Sequence, residues 1–291
     1  MKPLFLPLLL CLCSAAALAQ RNLCSGGAGT GQINLPGGYI AAVGPATDSA
    51  HPGECHAFIS AADGKSLYDV FGNELALNQI SGSDINDDGK PDAVIESHPA
   101  PHQCCYGYYI LTPSASPILL RELSTSVPLN FEDKLGDGKV EIWTRDFAFD
   151  GVEGYPHAES PLPLIFFRLR GKTLYDVSTL FWSDYEKEID DAKQGISRSD
   201  IDELTKVEGD KPKPPQEGDP KAEHLRSVQA LVLTVVLDYL YAGRGPEAWK
   251  AISDMWPLLD RQRIRQVILE RRMHGILSEI NRPAPQQAAS N

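Results

Sequence analysis

Between residues 33 and 179 the apolar positions come in short runs, four to eight residues long, cut by Gly, Pro, Asp and Asn. The runs at 39–43, 56–60, 66–71, 93–96, 106–111, 118–123, 140–144, 164–169 and 173–177 are rich in β-branched and aromatic residues. Such residues suit a pleated, half-buried surface, and each run predicts a strand. Asp63-Gly64 and Arg170-Gly171 separate paired runs and read as hairpin turns. Beyond Trp182 the period lengthens. Residues 185–192 form a charged helical pattern. Residues 223–241 carry a heavy apolar load at Leu225, Val228, Leu231, Val232, Val235, Val236, Tyr239 and Leu240 and predict a buried helix stopped by Gly243. Pro246 suits the opening of the next helix, which Pro257 ends. Asp260 is placed to cap a third helix, with Ile264, Val267, Ile268, Met273, Ile276 and Leu277 at helical spacing.

These patterns divide the chain. Residues 1–19 are a leader, 20–183 a β-rich part, 184–207 a helical connector, 208–222 a disordered linker, 223–281 a helical domain and 282–291 a disordered tail. The linker has no apolar anchor except its prolines, so it cannot bury enough surface to order itself. The Gly-rich stretch over 20–31 lacks the preceding strand and following helix that a dinucleotide loop needs, and it reads as a flexible terminus. The expected fold class is α+β: mainly antiparallel β units resembling propeller blades, then a small α-helical part.

The β-rich part repeats itself. Residues 84–92 read D-I-N-D-D-G-K-P-D, and 49 residues later 133–141 read D-K-L-G-D-G-K-V-E. A second echo pairs G-K-S-L-Y-D-V at 64–70 with G-K-T-L-Y-D-V at 171–177. A period near 50 with several strands per unit predicts blade-like units, of which three fit before residue 181. Three are too few to close a propeller, so an open assembly is expected.

The N-terminus has a basic start at Lys2, an apolar run over 4–12 and a small-x-small end at Ala17-Leu18-Ala19. Those are the parts of a secretory signal peptide, and the run is too short to span a bilayer. A secreted or periplasmic product follows, with no membrane span once the leader is removed. The formal charge is −12, and it becomes −13 without the leader, which holds Lys2 and no acid. An acidic chain is poorly suited to nucleic acid, whose phosphates require Lys and Arg. Acidity suits divalent cations. Cys11 and Cys13 leave with the leader, and Cys24, Cys55, Cys104 and Cys105 remain. An even number in an exported chain reads as disulfides, with three possible pairings. A bond between neighbours requires a strained turn, so Cys104 and Cys105 are expected to reach separate partners.

The chemistry lies in the repeated loop. Asp84, Asn86, Asp88 and Asp92 hold its positions one, three, five and nine, the Lys90 carbonyl adds position seven, and Gly89 permits the turn at six. Alternating oxygen donors of this kind suit Ca2+, which takes six to eight oxygens. Asp87 falls outside the alternation and faces solvent. The second loop offers Asp133, Asp137 and Glu141 with the Lys139 carbonyl, but Leu135 stands at position three, so binding there is weaker, water-assisted or absent. The first loop runs into Ala93-Val94-Ile95, a strand, and has Ile95 rather than an acid at position twelve. It therefore departs from helix–loop–helix hands and dockerins. It is similar to the FG-GAP/VCBS repeats of integrin α-subunit propellers and of many bacterial exported proteins. The resemblance covers about half the chain and implies metal ligation by Asp84, Asn86, Asp88, Lys90 and Asp92.

Other motifs carry less. His98, His102, Cys104 and Cys105 could suit zinc or copper, but the cysteines are expected to be oxidised. No nucleophile elbow, zincin or phosphate-loop motif occurs. Residues 237–252 are similar to the turn of a tetratricopeptide hairpin, present in one copy; a helical cap on the β part is the simpler reading. The expected function is a calcium-binding exported binding or scaffold module with a protein or carbohydrate ligand. The alternatives are a hydrolase of extracytoplasmic polymers, using Asp146, Asp150, Glu153 or His157, and a helical adaptor.

Overall fold

The computed structural model of the 291-residue chain describes residues 23–98, 105–206 and 220–280. Residues 1–22, 99–104, 207–219 and 281–291 lie outside that range. The fold is α+β, with strands in the N-terminal part and helices in the C-terminal part. The first sheet is a four-stranded antiparallel meander of β2 (Gly31–Leu35), β3 (Tyr39–Pro45), β4 (Cys55–Ser60) and β5 (Ser66–Gly72). The second orders β1 (Leu23–Ser25), β6 (Glu74–Leu77), β7 (Ala93–Ser97), β8 (Tyr106–Thr112) and β9 (Ile118–Thr125). The third is the meander β10 (Asn130–Glu132), β11 (Glu141–Arg145), β12 (Leu164–Arg170) and β13 (Thr173–Asp176).

Every strand expected from the apolar runs is present, and the echoes fall at equivalent places. Each aspartate loop joins the first and second strands of a meander, β6 to β7 and β10 to β11. Each Gly-Lys echo opens the last strand, β5 or β13. Gly64 and Gly171 turn there with φ of 82° and 56°, a left-handed backbone that glycine adopts without a Cβ penalty.

The second sheet is the middle layer. Ala93, Ile95 and Leu111 pack with Val43, Ala57 and Ile59 of the first sheet. Val94, Ile110 and Leu120 belong instead to the core shared with the third sheet and the helices. The strand period of two sends alternate side chains to opposite faces, so one strand feeds two cores.

The N-terminal segment corrects one expectation. Residues 23–25 are not a flexible terminus: β1 pairs with β6, Leu23 opposite Ala76 and Ser25 opposite Glu74. Cys24 is fully buried and bonded to Cys55. That bond also removes the partners expected for the later pair. Cys105 is disulfide-bonded, but to neither Cys24 nor Cys55; Cys104 and His102 lie outside the described residues.

The helices are α1 (Trp182–Gln194), α2 (Arg198–Thr205), α3 (Pro220–Tyr241), α4 (Gly245–Met255), α5 (Arg261–His274) and α6 (Ile276–Ile280). The connector begins two residues earlier than expected and α3 three residues earlier, so 220–222 belong to a helix. Ser197 caps α2 by accepting from Asp200 N–H at 3.1 Å, and the Asp200 carboxylate accepts from Ser197 N–H at 2.9 Å. α3 is buried around most of its circumference, Val228, Val232, Val235 and Val236 being within 1 % of full burial. Each such side chain contributes roughly 1.5–3 kcal/mol. Phe166 of β12 stacks on Phe181 at 4.1 Å, and Tyr185 of α1 donates to the Leu164 carbonyl at 2.7 Å, so the helices cap the third sheet.

Two helix-end expectations are corrected. Asp260 precedes α5 but does not cap it; its carboxylate accepts from Trp256 Nε1 at 2.8 Å and pairs with Arg263. The third helical run breaks at Gly275, which lies against the Asp146 carboxylate.

Candidate metal site

The 84–92 loop is built from side chain-to-backbone bonds. Asp84 accepts from Asp88 N–H at 3.1 Å and from Gly89 N–H at 2.7 Å. Asp88 accepts from Lys90 N–H at 2.9 Å and from Asn86 Nδ2 at 3.3 Å. Asp92 is fully buried and accepts from Ile85 N–H at 2.9 Å, Asn86 N–H at 3.3 Å and Thr112 Oγ1 at 2.6 Å. Short carboxylates and amides close such turns readily. Burial pushes the Asp92 carboxyl up to about 6; the Thr112 and Ile85 hydrogen bonds oppose the rise, and the Asp88 and Asp84 charges add to it.

The 133–141 loop has the same frame. Asp133 accepts from Asp137 N–H at 3.1 Å and Gly138 N–H at 2.9 Å, and Asp137 accepts from Lys139 N–H at 3.1 Å. Glu141 accepts from Lys134 N–H at 2.8 Å, as Asp92 does from Ile85. The backbone agrees at both left-handed positions: φ is 62° at Asp87 and 67° at Gly136, then 81° at Gly89 and 80° at Gly138.

The charges differ. In the second loop the Arg168 guanidinium donates to Glu141 at 2.5 Å through Nε and to both Asp137 oxygens at 2.9 and 3.0 Å through Nη2. That guanidinium holds the Asp137 carboxyl below the usual carboxylate range. In the first loop Asp84, Asp88 and Asp92 meet neutral donors only. Asp87, at position four, is exposed but not merely solvated: Lys139 Nζ pairs with it at 2.7 Å, joining the two loops. The Asn86 carbonyl accepts from Gly171 N–H at 2.9 Å, fastening the first loop to the third sheet.

The donor chemistry of the first loop suits a hard cation: three carboxylates, the buried Asn86 amide and the Lys90 carbonyl within nine residues, with no basic side chain on any of the three carboxylates. Among the described residues no three His, Cys, Asp or Glu side chains gather as a metal-binding group; Asp84 and Asp88 are turned onto backbone N–H groups. The second loop does not suit one. Leu135 supplies no oxygen, and a cationic side chain already bridges two of its three acids.

Sequence reasoning missed Thr112 and Arg168, which lie 20 and 27 residues beyond the acids they contact. A basic residue inside the apolar strand L-I-F-F-R-L-R was a signal for Arg168; Thr112 offered none. His98 is held between two glutamates. It pairs with Glu74 at 2.8 Å and Glu96 at 3.1 Å, and the Glu96 hydrogen bond leads the effects that push its pKa above the ordinary histidine value.

Of the four residues expected of a hydrolase, Asp150 and His157 meet each other, whereas Asp146 and Glu153 are engaged by other partners. Asp146 lines a cleft of ≈ 230 Å³ with Arg145 and His274. Its carboxylate accepts from Tyr241 Oη at 2.6 Å, Ala148 N–H at 3.0 Å and Ile276 N–H at 3.2 Å. Asp150 pairs with His157 at 2.9 Å, and Glu153 with Arg263 at 2.6 Å. The 148–160 segment holds the helices: Arg271 donates to the Ala148 and Asp150 carbonyls at 3.1 Å. No helix of the described residues is long and apolar enough to cross a membrane. Comparison with protein-family models, with curated proteins and with solved structures finds no match.

Proposed function

We propose that this protein is an exported calcium-binding module of the FG-GAP/VCBS type, a scaffold or binding protein whose 84–92 loop holds the ion. One observation supports this above the others: three carboxylates and an amide lie within nine residues and meet only neutral donors, and Asp92 among them is fully buried. Asp84, Asn86, Asp88 and Asp92 would hold Ca2+ together with the Lys90 carbonyl. The ion would supply the positive charge that Asp84, Asp88 and Asp92 do not meet in a basic side chain, and would tie β6 to β7. Disulfide bonding at Cys24, Cys55 and Cys105 supports an oxidising compartment, and hence cleavage of the 1–19 leader. The ligand is of protein or carbohydrate class.

The test is thermal unfolding in chelator and in millimolar Ca2+, for the wild type and Asp88→Ala. A ligand bound only by the folded state adds about 2.7 kcal/mol at a hundredfold excess over its dissociation constant. The expected result is a calcium-dependent rise in Tm that Asp88→Ala abolishes. An unmoved wild-type Tm, or an equal rise in the variant, removes the calcium role.

A further inference from the structure

We infer that Arg168 is a built-in cation which takes a metal ion's place in the 133–141 loop, and that the cross-strand residue, Thr112 or Arg168, decides which of the two loops is open to a divalent ion. The first half stands on geometry alone. The second rests on the calcium reading of the 84–92 loop.

The two loops are the same object up to that residue. Position one accepts from the N–H groups of positions five and six in both, and position five from that of position seven. The acid at position nine accepts from the N–H of position two in both. It then begins β11, or immediately precedes β7, and faces a residue on the next strand, β12 or β8. Ala93 opposite Leu111 sets Asp92 against Thr112; Ile142 opposite Phe167 sets Glu141 against Arg168. Threonine delivers one neutral hydrogen bond at 2.6 Å and leaves Asp84, Asp88 and Asp92 without a cationic partner. Arginine delivers a planar cation that reaches from position nine to position five, the span over which a loop-bound ion would be shared. The Arg168 side chain is 9 % exposed and Glu141 is 0 % exposed, so the guanidinium lies inside the fold rather than across its surface. Leu135 at position three agrees: with the cation supplied from β12, an oxygen there has no task.

The experiment is calcium titration calorimetry on the full-length protein. The wild type is expected to bind one equivalent and Asp88→Ala none. In the Asp88→Ala background, Arg168→Thr with Leu135→Asp is expected to gain one equivalent, which Asp133→Ala then removes. Leu135→Asp alone changes an exposed side chain, folds without disturbing the core, and is expected to gain nothing while Arg168 remains. Binding by Leu135→Asp in the Asp88→Ala background overturns the proposal, as does a folded Arg168→Thr/Leu135→Asp protein that binds no calcium. Should that variant fail to fold, the Leu135→Asp arm decides alone. A wild type that binds nothing refutes the calcium reading of the first loop and leaves the Arg168 arms to be read separately.

Discussion

Thr112 Oγ1 donates to the buried Asp92 carboxylate at 2.6 Å, from the strand position that Arg168 holds opposite Glu141 in the next sheet. A hydroxyl and a guanidinium thus do the same geometric task with different charge.

Thr112→Val keeps the shape of this contact and deletes its donor. One partner of a buried carboxylate is then missing, which costs about 1–3 kcal/mol. Urea unfolding of the calcium-free protein measures it. A change under a few tenths of a kcal/mol would show that Asp92 is held by Ile85 and Asn86 alone.

Gly275 marks where the helical cap meets the third sheet. A Cβ at this position would collide with the Asp146 carboxylate and come within 2.7 Å of Ala148 Cβ. Gly275→Ala must therefore displace α6 or Asp146, at roughly 1–3 kcal/mol for an overpacked site. Denaturant unfolding gives the cost, and hydrogen exchange at Ile276 N–H, which donates to Asp146, reports the local opening. Unchanged protection at Ile276 would refute the contact.

Asp238 lies on the buried α3, 1 % exposed, and its Oδ2 has no hydrogen-bond partner among the described residues. Desolvation pushes its carboxyl up to about 8; Glu188 adds to the rise and Arg145 opposes it. The folded state therefore binds this proton more tightly than the unfolded chain, where the value is about 3.9. Stability from this group is full below about pH 4 and declines as pH climbs toward 8, because folding then requires an uncompensated buried charge or proton uptake. Asp238→Asn is expected to flatten that decline. Urea midpoints across this pH range read it, and parallel profiles for the two proteins would show that Asp238 does not titrate in the window.

The misses have a common character. The strands β1, β2, β6 and β10 escaped the sequence reading because each has only three to five residues and is held by a longer neighbour rather than by its own pattern. Asp260 looked like a helix cap because capping residues are recognised by local order, yet Trp256 and Arg263 take its oxygens in the folded chain.

What the sequence determined by itself was local. The strand and helix periods, the hairpin glycines, the nine-residue acidic loop and its repeat all depend on residues within a few positions of each other, where backbone geometry alone brings side chains together. Only the tertiary structure decided the Cys24–Cys55 bond, the burial of Asp238, and the setting of Thr112 beside one loop and Arg168 beside the other. Those depend on strand register and on which faces pack, and the energy that selects them is summed over the whole core rather than carried by any segment.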